Sequence, residues 1–448
     1  MTRTSLSSLL RVVAAVVFGV SAAAAGAEDL LQIYREAQQQ DPTIAAARST
    51  WEATQERVPQ ARSTLLPAVS AQAQANANYY DAQLNTTPKS TFSQNYGTGN
   101  LVFSASQPLY RPQNVVALDQ AREQVVQSDF TLGIAQQDLI IRTSIAYFDV
   151  LLAEFNVELA EQQKIAVSEQ LAQAKRNFEV GTATITDTNE AQAKYDQIIA
   201  TEIQARNDLD RRRTALTAII GRAPRNLKRV GRGFEPSLPD PNNVDYWVDR
   251  ALRENLSVRF AMSNYEIAAL EVDRARAGHL PTVDAVASAG ATANSGSPTT
   301  DFAGNTRTGL FGIVVNVPIY TGGFVNSRVR EAISLQDRSR ADLEAAKRAA
   351  VTNAQDGFSG VNSAAAGVKA FEQAVASAEV ALQSNILGQE VGIRTNLDVL
   401  NVQQNVYSTR RDLANAYFTY LLAVLRLKAS VGSLTEQDLQ DINRRLNG

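Results

Sequence analysis

The chain has 448 residues, with 43 Lys and Arg against 46 Asp and Glu, a formal charge of -3, one histidine and no cysteine. Mild acidity without a basic stripe offers nucleic acid nothing to hold, so no nucleic-acid partner is expected. Without cysteine there is no disulfide, no thiolate metal site and no lipid-modified N-terminal Cys, and one histidine supplies neither a metal cluster nor a triad. The reading is therefore non-enzymatic, with no catalytic residue, metal or cofactor expected.

The chain opens with Arg3 and Arg11, an apolar run from Val12 to Ala25 and the small-x-small site Ala25-Gly26-Ala27. This is the layout of a secretory signal peptide over 1–27, which makes the mature chain an exported one beginning at Glu28. Proline placement maps the rest. All 13 prolines fall within 42–112 or 224–318, leaving 113–223 and 319–448 free of them and rich in helix formers.

A first repeat is expected over 28–220. It holds a helix, a β-hairpin over 66–110, a long helix over 113–180 and a further helix over 187–220. In the hairpin, Val69, Ala71, Ala73 and Ala75 share one strand face, and Val102 to Ser106 lead into Gln107-Pro108. Asp81 to Asn95 reads as an exposed polar loop, and Tyr79, Tyr80 and Tyr110 stand where an aromatic girdle would lie. In the long helix, Ile141, Ile145, Phe148, Leu152, Phe155 and Leu159 form a heptad stripe, which resumes after a slip at Val167, Leu171, Ala174 and Phe178. A helix of that length spans about 100 Å.

Residues 221–244 read as a linker, basic through Arg222, Arg225, Lys228, Arg229 and Arg232, and solvated. A second repeat is expected over 245–448, with a helix, a hairpin over 280–320, a long helix over 322–391 and a helix over 398–432. Phe311, Ile313, Val315, Val317 and Ile319 share one strand face, opposite a strand through Val283, Ala285, Ala287 and Ala289. Asn294 to Asn305 is the exposed loop between them, and Tyr320 stands at a strand end. The helix seam runs through Phe371, Val375, Ala378 and Leu382. His279, at a helix-to-strand junction, reads as a turn residue.

The two halves say the same thing twice. Glu179-Val180-Gly181 with Asp187 recurs as Glu390-Val391-Gly392 with Asp398; Leu66-Pro67 recurs at Leu280-Pro281, and Pro108-Leu109-Tyr110 at Pro318-Ile319-Tyr320. A duplicated subdomain follows, since this period is far too long for a solenoid. The alternating segments have the length of tilted membrane strands. Four strands cannot close a membrane barrel and lipid tolerates no open edge, so several chains must share one; three copies give twelve strands. A soluble coiled coil would account for the helices but not for the strands between them.

Ala146-Tyr147-Phe148, Val180-Gly181 with Ile185-Thr186-Asp187, Gly278-His279-Leu280-Pro281-Thr282, Pro318-Ile319-Tyr320 with Gly322-Gly323, and Val391-Gly392 with Arg394-Thr395 occur in an order that resembles the TolC-type outer-membrane channels. The resemblance covers essentially all of 28–439. It implies an α+β membrane protein working as a homotrimer, with a shared twelve-stranded barrel in outer-membrane lipid and a tunnel of twelve coiled-coil helices in the periplasm. It implies export through an efflux or type I secretion assembly, with a periplasmic adaptor and an inner-membrane RND or ABC transporter.

Thr184 with Asp187, and Thr395 with Asp398, have capping-box spacing, so both acids have a structural reading as helix caps. The resemblance adds others. It implies an entrance latch at Thr186, Asp187, Gln389 and Arg394, with Gln389 standing where the family often has tyrosine. It implies a constriction at Asp398 and Asn401, where Asn401 replaces an acid, and adaptor-contact tips at Val180, Gly181, Val391 and Gly392.

Overall fold

A computed structural model of the chain describes residues 27–85, 87–88, 90–229, 235–296 and 303–446. The expected signal segment, apart from Ala27, lies outside them, as do residues 230–234 of the expected linker. Three helices, α1 (Leu30–Gln40), α2 (Pro42–Gln55) and α3 (Arg57–Ser63), lead into strands β1 (Ala68–Leu84) and β2 (Ser90–Tyr110). Helices α4 (Pro112–Glu179) and α5 (Ile185–Ile220) complete the first half. The second half repeats the plan with α6 (Val244–Glu254), α7 (Leu256–Arg276), β3 (Thr282–Asn294), β4 (Gly304–Asn316), α8 (Phe324–Glu390) and α9 (Asn396–Ser430), then ends in α10 (Glu436–Leu446). Helices α4 and α8 contain 68 and 67 residues, about 100 Å each.

The strands form one antiparallel sheet in the order β1-β2-β3-β4. Its register explains the alternation. Val69, Ala105, Ala287 and Phe311 lie in one row across the sheet, and Ala71, Phe103, Ala289 and Gly309 in another, all on one face. The opposite face is mainly polar, with Ser70, Ser104 and Ser288 in a row that ends in Leu310, then Gln74, Asn100, Thr292 and Thr306; Val102 interrupts it, as Arg307 interrupts the apolar face. Side chains alternate with period two, so a one-residue slip would exchange these faces. Phe311 is 84% exposed and Ile313 63% exposed in the single chain, which suits a lipid-facing surface. Neither β1 nor β4 has a partner on its outer edge among the described residues.

The hairpin departs from expectation above this band. Asp81 to Asn95 is not a loop: β1 continues to Leu84 and β2 starts at Ser90, with unbroken pairing from Ala68↔Ser106 to Leu84↔Ser90. The tyrosines and Phe92 interleaved among the polar residues favour strand, and the turn needs only the residues between. At the other end the sheet joins the helices. The register shifts between Pro108 and Tyr110, and Pro112 starts α4 with its φ already fixed. Arg111 donates to both carboxylate oxygens of the mostly buried Asp284, at 2.8 and 2.7 Å, tying the first repeat to the second at this junction.

Halfway down the helices sits the main core. The heptad stripe holds at Val167, Leu171 and Ala174, which are buried, whereas Phe178 and Phe371 are exposed. Between 139 and 153 a single stripe fails as a description. Thr143, Ser144, Tyr147 and Val150 are fully buried there while Ile141, Ile145 and Leu152 are only half-buried, because several elements surround the helix. The expected solvated linker is one of them. Glu28 pairs with Leu227 in a parallel bridge, Arg222 holds Glu28 and Glu36 at 2.7 and 2.6 Å, and the Tyr147 hydroxyl donates to the Lys228 carbonyl at 2.8 Å. Phe148 of α4 stacks on Phe418 of α9 at 5.3 Å, joining the halves. His279 ends a 3-10 turn over Ala277–His279, where it meets Asn326 at 3.2 Å.

No described helix is long and apolar enough to cross a membrane. The sheet carries a direct test of its faces. Ala289→Arg puts a charge on the apolar face near the middle of β3 and is expected to cost about 2–4 kcal/mol of membrane stability per chain. Ser288→Arg, on the opposite face, is expected to be close to neutral. Heat and urea titrations of the lipid-inserted protein measure the difference; equal losses would mean that the faces are assigned wrongly.

Candidate functional site

Helix α4 stops at Val180 and α8 at Val391, and each chain reversal at these ends uses the same chemistry. Gly181 and Gly392 adopt the left-handed region, at φ 77 and 82, where other residues pay a steric penalty. The next residue's N–H turns back to a carbonyl five positions earlier, Thr182 to Asn177 at 2.8 Å and Ile393 to Gly388 at 2.9 Å. This closes the open carbonyls of the helix end. The following helix then starts from a reciprocal cap. Asp187 Oδ2 accepts the Thr184 N–H and hydroxyl at 2.8 and 2.7 Å, while Thr184 Oγ1 accepts the Asp187 N–H at 3.2 Å. Thr395 and Asp398 repeat the set at 2.9, 2.9 and 3.2 Å.

A third corner of this kind escaped the sequence reading. Val431-Gly432-Ser433-Leu434-Thr435-Glu436-Gln437-Asp438 matches both tips in Val, Gly, Thr and Asp. Gly432 has φ 77, Ser433 N–H reaches the Lys428 carbonyl at 3.0 Å, and Asp438 Oδ2 accepts the Thr435 N–H at 2.7 Å. The spacing alone could have found it, but it falls outside the 211-residue repeat. Its surroundings differ: a Cβ on Gly432 would meet the Glu254 carbonyl oxygen at 2.4 Å, whereas Gly181 and Gly392 have open space around them. In this packed corner the carboxylate's other oxygen, Asp438 Oδ1, is taken by Lys428. The motif is therefore a helix-reversal device in its own right, and the capping reading of Asp187 and Asp398 is correct as geometry.

What distinguishes the tips is what the device leaves free. Asp187 Oδ2 takes both cap bonds, so Oδ1 is available. Arg394 is exposed and forms no ion pair among the described residues; within one chain it does not bond Asp187. Its aliphatic stem lies so close to Gly388 that a Cβ there would sit 2.7 Å from Arg394 Cγ. Gly388, which the sequence reading passed over, thus lets Arg394 lie on the end of α8. Gln389 donates to Asn396 Oδ1 at 3.4 Å inside its own hairpin and does not reach Asp187. Thr186 is exposed. Asn401 lies exposed on α9 one turn beyond Asp398. The tips are also apolar at their ends: Val180, Val391 and Ile393 are 74%, 64% and 78% exposed.

Both tip carboxyls are held below the ordinary carboxylate range, first by the backbone N–H of the capping threonine and then by its hydroxyl. For Asp398 the Arg394 charge pulls in the same direction. A depressed folded value means that the caps are complete at neutral and mildly acidic pH and are lost only as pH falls through it. Among the described residues no group of His, Asp and Glu could hold a metal ion.

The chain matches the family model described as outer membrane efflux protein over residues 33–222 and 247–433. It is 32% identical to the outer membrane protein TolC of Vibrio cholerae, over 98% of this chain and 99% of that one. It is 33% identical to TolC of Escherichia coli, over 94% and 85%, and 31% identical to the alkaline protease secretion protein AprF of Pseudomonas aeruginosa, over 92% and 86%. Among solved structures, the outer membrane protein VceC of Vibrio cholerae superposes with a TM-score of 0.73 at 20% identity, over 90% of this chain and 96% of that one.

The three corners predict an order of sensitivity. Gly432→Ala must displace the Glu254 backbone as well as strain φ, so it is expected to abolish or severely weaken folding. Gly181→Ala bears only the φ strain, about 1 kcal/mol. Thermal unfolding of the two variants checks this, and a Gly432→Ala protein as stable as Gly181→Ala would disprove the packed-corner geometry.

Proposed function

The chain belongs to the outer membrane efflux protein family, and from that premise we propose that three copies form one export duct with a latched periplasmic entrance. The protein is an outer-membrane channel of efflux and type I secretion systems rather than an enzyme. The observation that carries the three-copy reading is the sheet: one mainly apolar face, one mainly polar face and, among the described residues, two unpaired edges. Antiparallel order lets β4 of one copy pair with β1 of the next, and three copies close twelve strands without an edge. The polar face then lines the lumen.

The helices continue the duct into the periplasm and end at the two tips. The exposed Val180, Val391 and Ile393 beside glycines with open space give an apolar, sterically free end that suits a periplasmic adaptor, through which an inner-membrane RND or ABC transporter would drive export. For the entrance, the third corner is the guide. There the second carboxylate oxygen holds a lysine of the same chain. At the tips neither Asp187 Oδ1 nor the Arg394 guanidinium is taken up by a partner among the described residues of one chain, which leaves both free to meet another helix pair once the copies assemble. Arg394 then bonds Asp187 and Thr186 and draws the α8–α9 pair inward; Gln389, satisfied by Asn396, contributes little.

The ion pairs support α8–α9 as the pair that swings. The pair α4–α5 is stitched by Arg206–Glu161, Lys164–Glu202, Arg212–Asp149 and Arg213–Glu154. Across α8–α9 the described ion pairing reduces to Arg410–Glu379, with Tyr417 donating to Glu372. The less cross-linked pair is the one a few breakable bonds can hold or release.

Conductance in planar bilayers tests the latch. Arg394→Ser leaves every cap bond intact and is expected to raise conductance several-fold; adding Asp187→Ala is expected to add little, because the two act through one bond. Wild-type conductance for Arg394→Ser would leave Asp187 a helix cap only. The constriction has its own readout. Three Asp398 carboxylates in one ring favour cations, so Asp398→Ala is expected to lower cation selectivity and Asn401→Asp to raise it. Reversal potentials unmoved by both would place the narrowest point elsewhere.

A further inference from the structure

Above the membrane band the sheet reverses its polarity. Strands β3 and β4 stop at Asn294 and Gly304, whereas β1 and β2 run on for a further eight residues, Ala77 to Leu84 opposite Ser90 to Gly97. The register has no shift along this extension, so the two faces continue upward unchanged. On the outward face, apolar up to Ala75 and Ala77, the extension carries Tyr79, Asp81 and Gln83 opposite Asn95, Ser93 and Thr91. On the inward face, polar through Gln74, Asn76 and Asn78, it carries Tyr80, Ala82 and Leu84 opposite Gln94, Phe92 and Ser90, with Tyr96 opposite Asn78, so apolar side chains outnumber polar ones there. Tyr79 marks the crossing, facing out where an interfacial tyrosine belongs.

An apolar surface turned toward an aqueous lumen needs a partner. Only its lower end is approached within the chain: Ser295 bonds the Gly97 main chain just past the end of β3, and Gly296 lies so close that a Cβ there would meet Gln94 and Tyr96 at 3.0 Å. Tyr80, Leu84 and Phe92 remain open, at 37%, 51% and 39% exposure. The occupant follows from continuity with the seam between copies. In the three-copy duct, on which this inference rests, the same face of each hairpin points at the threefold axis. A twelve-stranded barrel has a radius of about 12 Å, and the extension rises about 27 Å. Each hairpin is therefore long enough to lean in and reach the axis.

We propose that the three β1–β2 extensions pack Tyr80, Leu84 and Phe92 against the same residues of the other copies across the outer mouth of the duct, making a second, extracellular constriction of apolar side chains. The polar outward face, Asp81, Gln83, Thr91 and Ser93, stays in water. This seal is held by burial, not by ion pairs, so it responds differently from the periplasmic latch. It is insensitive to salt and weakened by replacing the ring residues with small polar ones.

The absence of native cysteine makes the test direct. Leu84→Cys and Phe92→Cys place thiols on the inward face; Gln83→Cys and Ser93→Cys place them on the outward face of the same hairpin. A disulfide needs Cα atoms within about 7 Å. With the full-length protein in lipid and a mild oxidant, the inward variants are expected to give covalent dimers about tenfold faster than the outward ones, since proximity sets the effective concentration. Tyr80→Ser with Phe92→Ser is expected to raise single-channel conductance, and to raise it further when combined with Arg394→Ser because the two constrictions act in series. A trimeric mass with no preference for inward cross-links, and unchanged conductance of the serine variant, would overturn the constriction alone. A monomeric mass in lipid would overturn the shared duct with it.

Discussion

Everything in this protein follows from the cost of an unpaired backbone group in hydrocarbon. A four-stranded sheet satisfies its inner strands and leaves the outer edges of β1 and β4 with rows of free N–H and C=O groups. Inside a bilayer no water can take them, so the sheet is complete only when other copies supply the missing neighbours. The in-register rows of Ala, Val and Phe on one face and Ser, Gln, Asn and Thr on the other fix which way the shared sheet curls. Symmetry then fixes the helices below it. Four helical segments per chain hang from one barrel, and the bidentate Arg111–Asp284 pair at the joint makes the two repeats turn together.

The helices face the opposite problem. At about 100 Å they are far longer than a single packed domain needs, and each must reverse direction without unravelling. One solution serves three times: left-handed glycine, back-bonded carbonyls, and an Asp carboxylate that accepts from the Thr three residues earlier, reciprocated by the Thr hydroxyl at the two tips. Because the corner is the same where it is packed against Glu254 and where it stands in open space, the corner itself is not the function. The corners differ in their leftover valences: Asp438 spends its second oxygen on Lys428, whereas Asp187 has its second oxygen free of partners among the described residues. The proposed latch rests on that surplus hydrogen-bonding capacity.

Between barrel and tips, the molecule is anchored at its waist. Glu28, the connection around Arg222 to Lys228, and Tyr147 of α4 are bound to one another there, with Phe148 and Phe418 stacked across the halves. These contacts and the denser ion pairing on α4–α5 support the proposal that α8–α9 is the pair that opens.

The sequence by itself determined the plan: an exported chain, a duplicated unit, strands with one apolar face, helices without proline, and a strand count that demands sharing. Those are local properties, set by periodicity and composition, and the membrane makes them nearly unambiguous. The caps were also legible, since Thr and Asp three residues apart act within one turn. Tertiary structure decided what depends on register and packing. Asp81 to Asn95 is polar enough to read as a loop, yet cross-strand pairing carries it as strand and turns Tyr80, Leu84 and Phe92 inward. The basic connection read as solvated because its partners, Glu28, Glu36 and Glu158, are distant in sequence. Arg394 could be placed near Asp187 by resemblance, but only the tertiary structure shows that the two do not pair within one chain and that Asp187 spends one oxygen on its cap, because ion pairs are made by geometry that spacing along a chain does not contain.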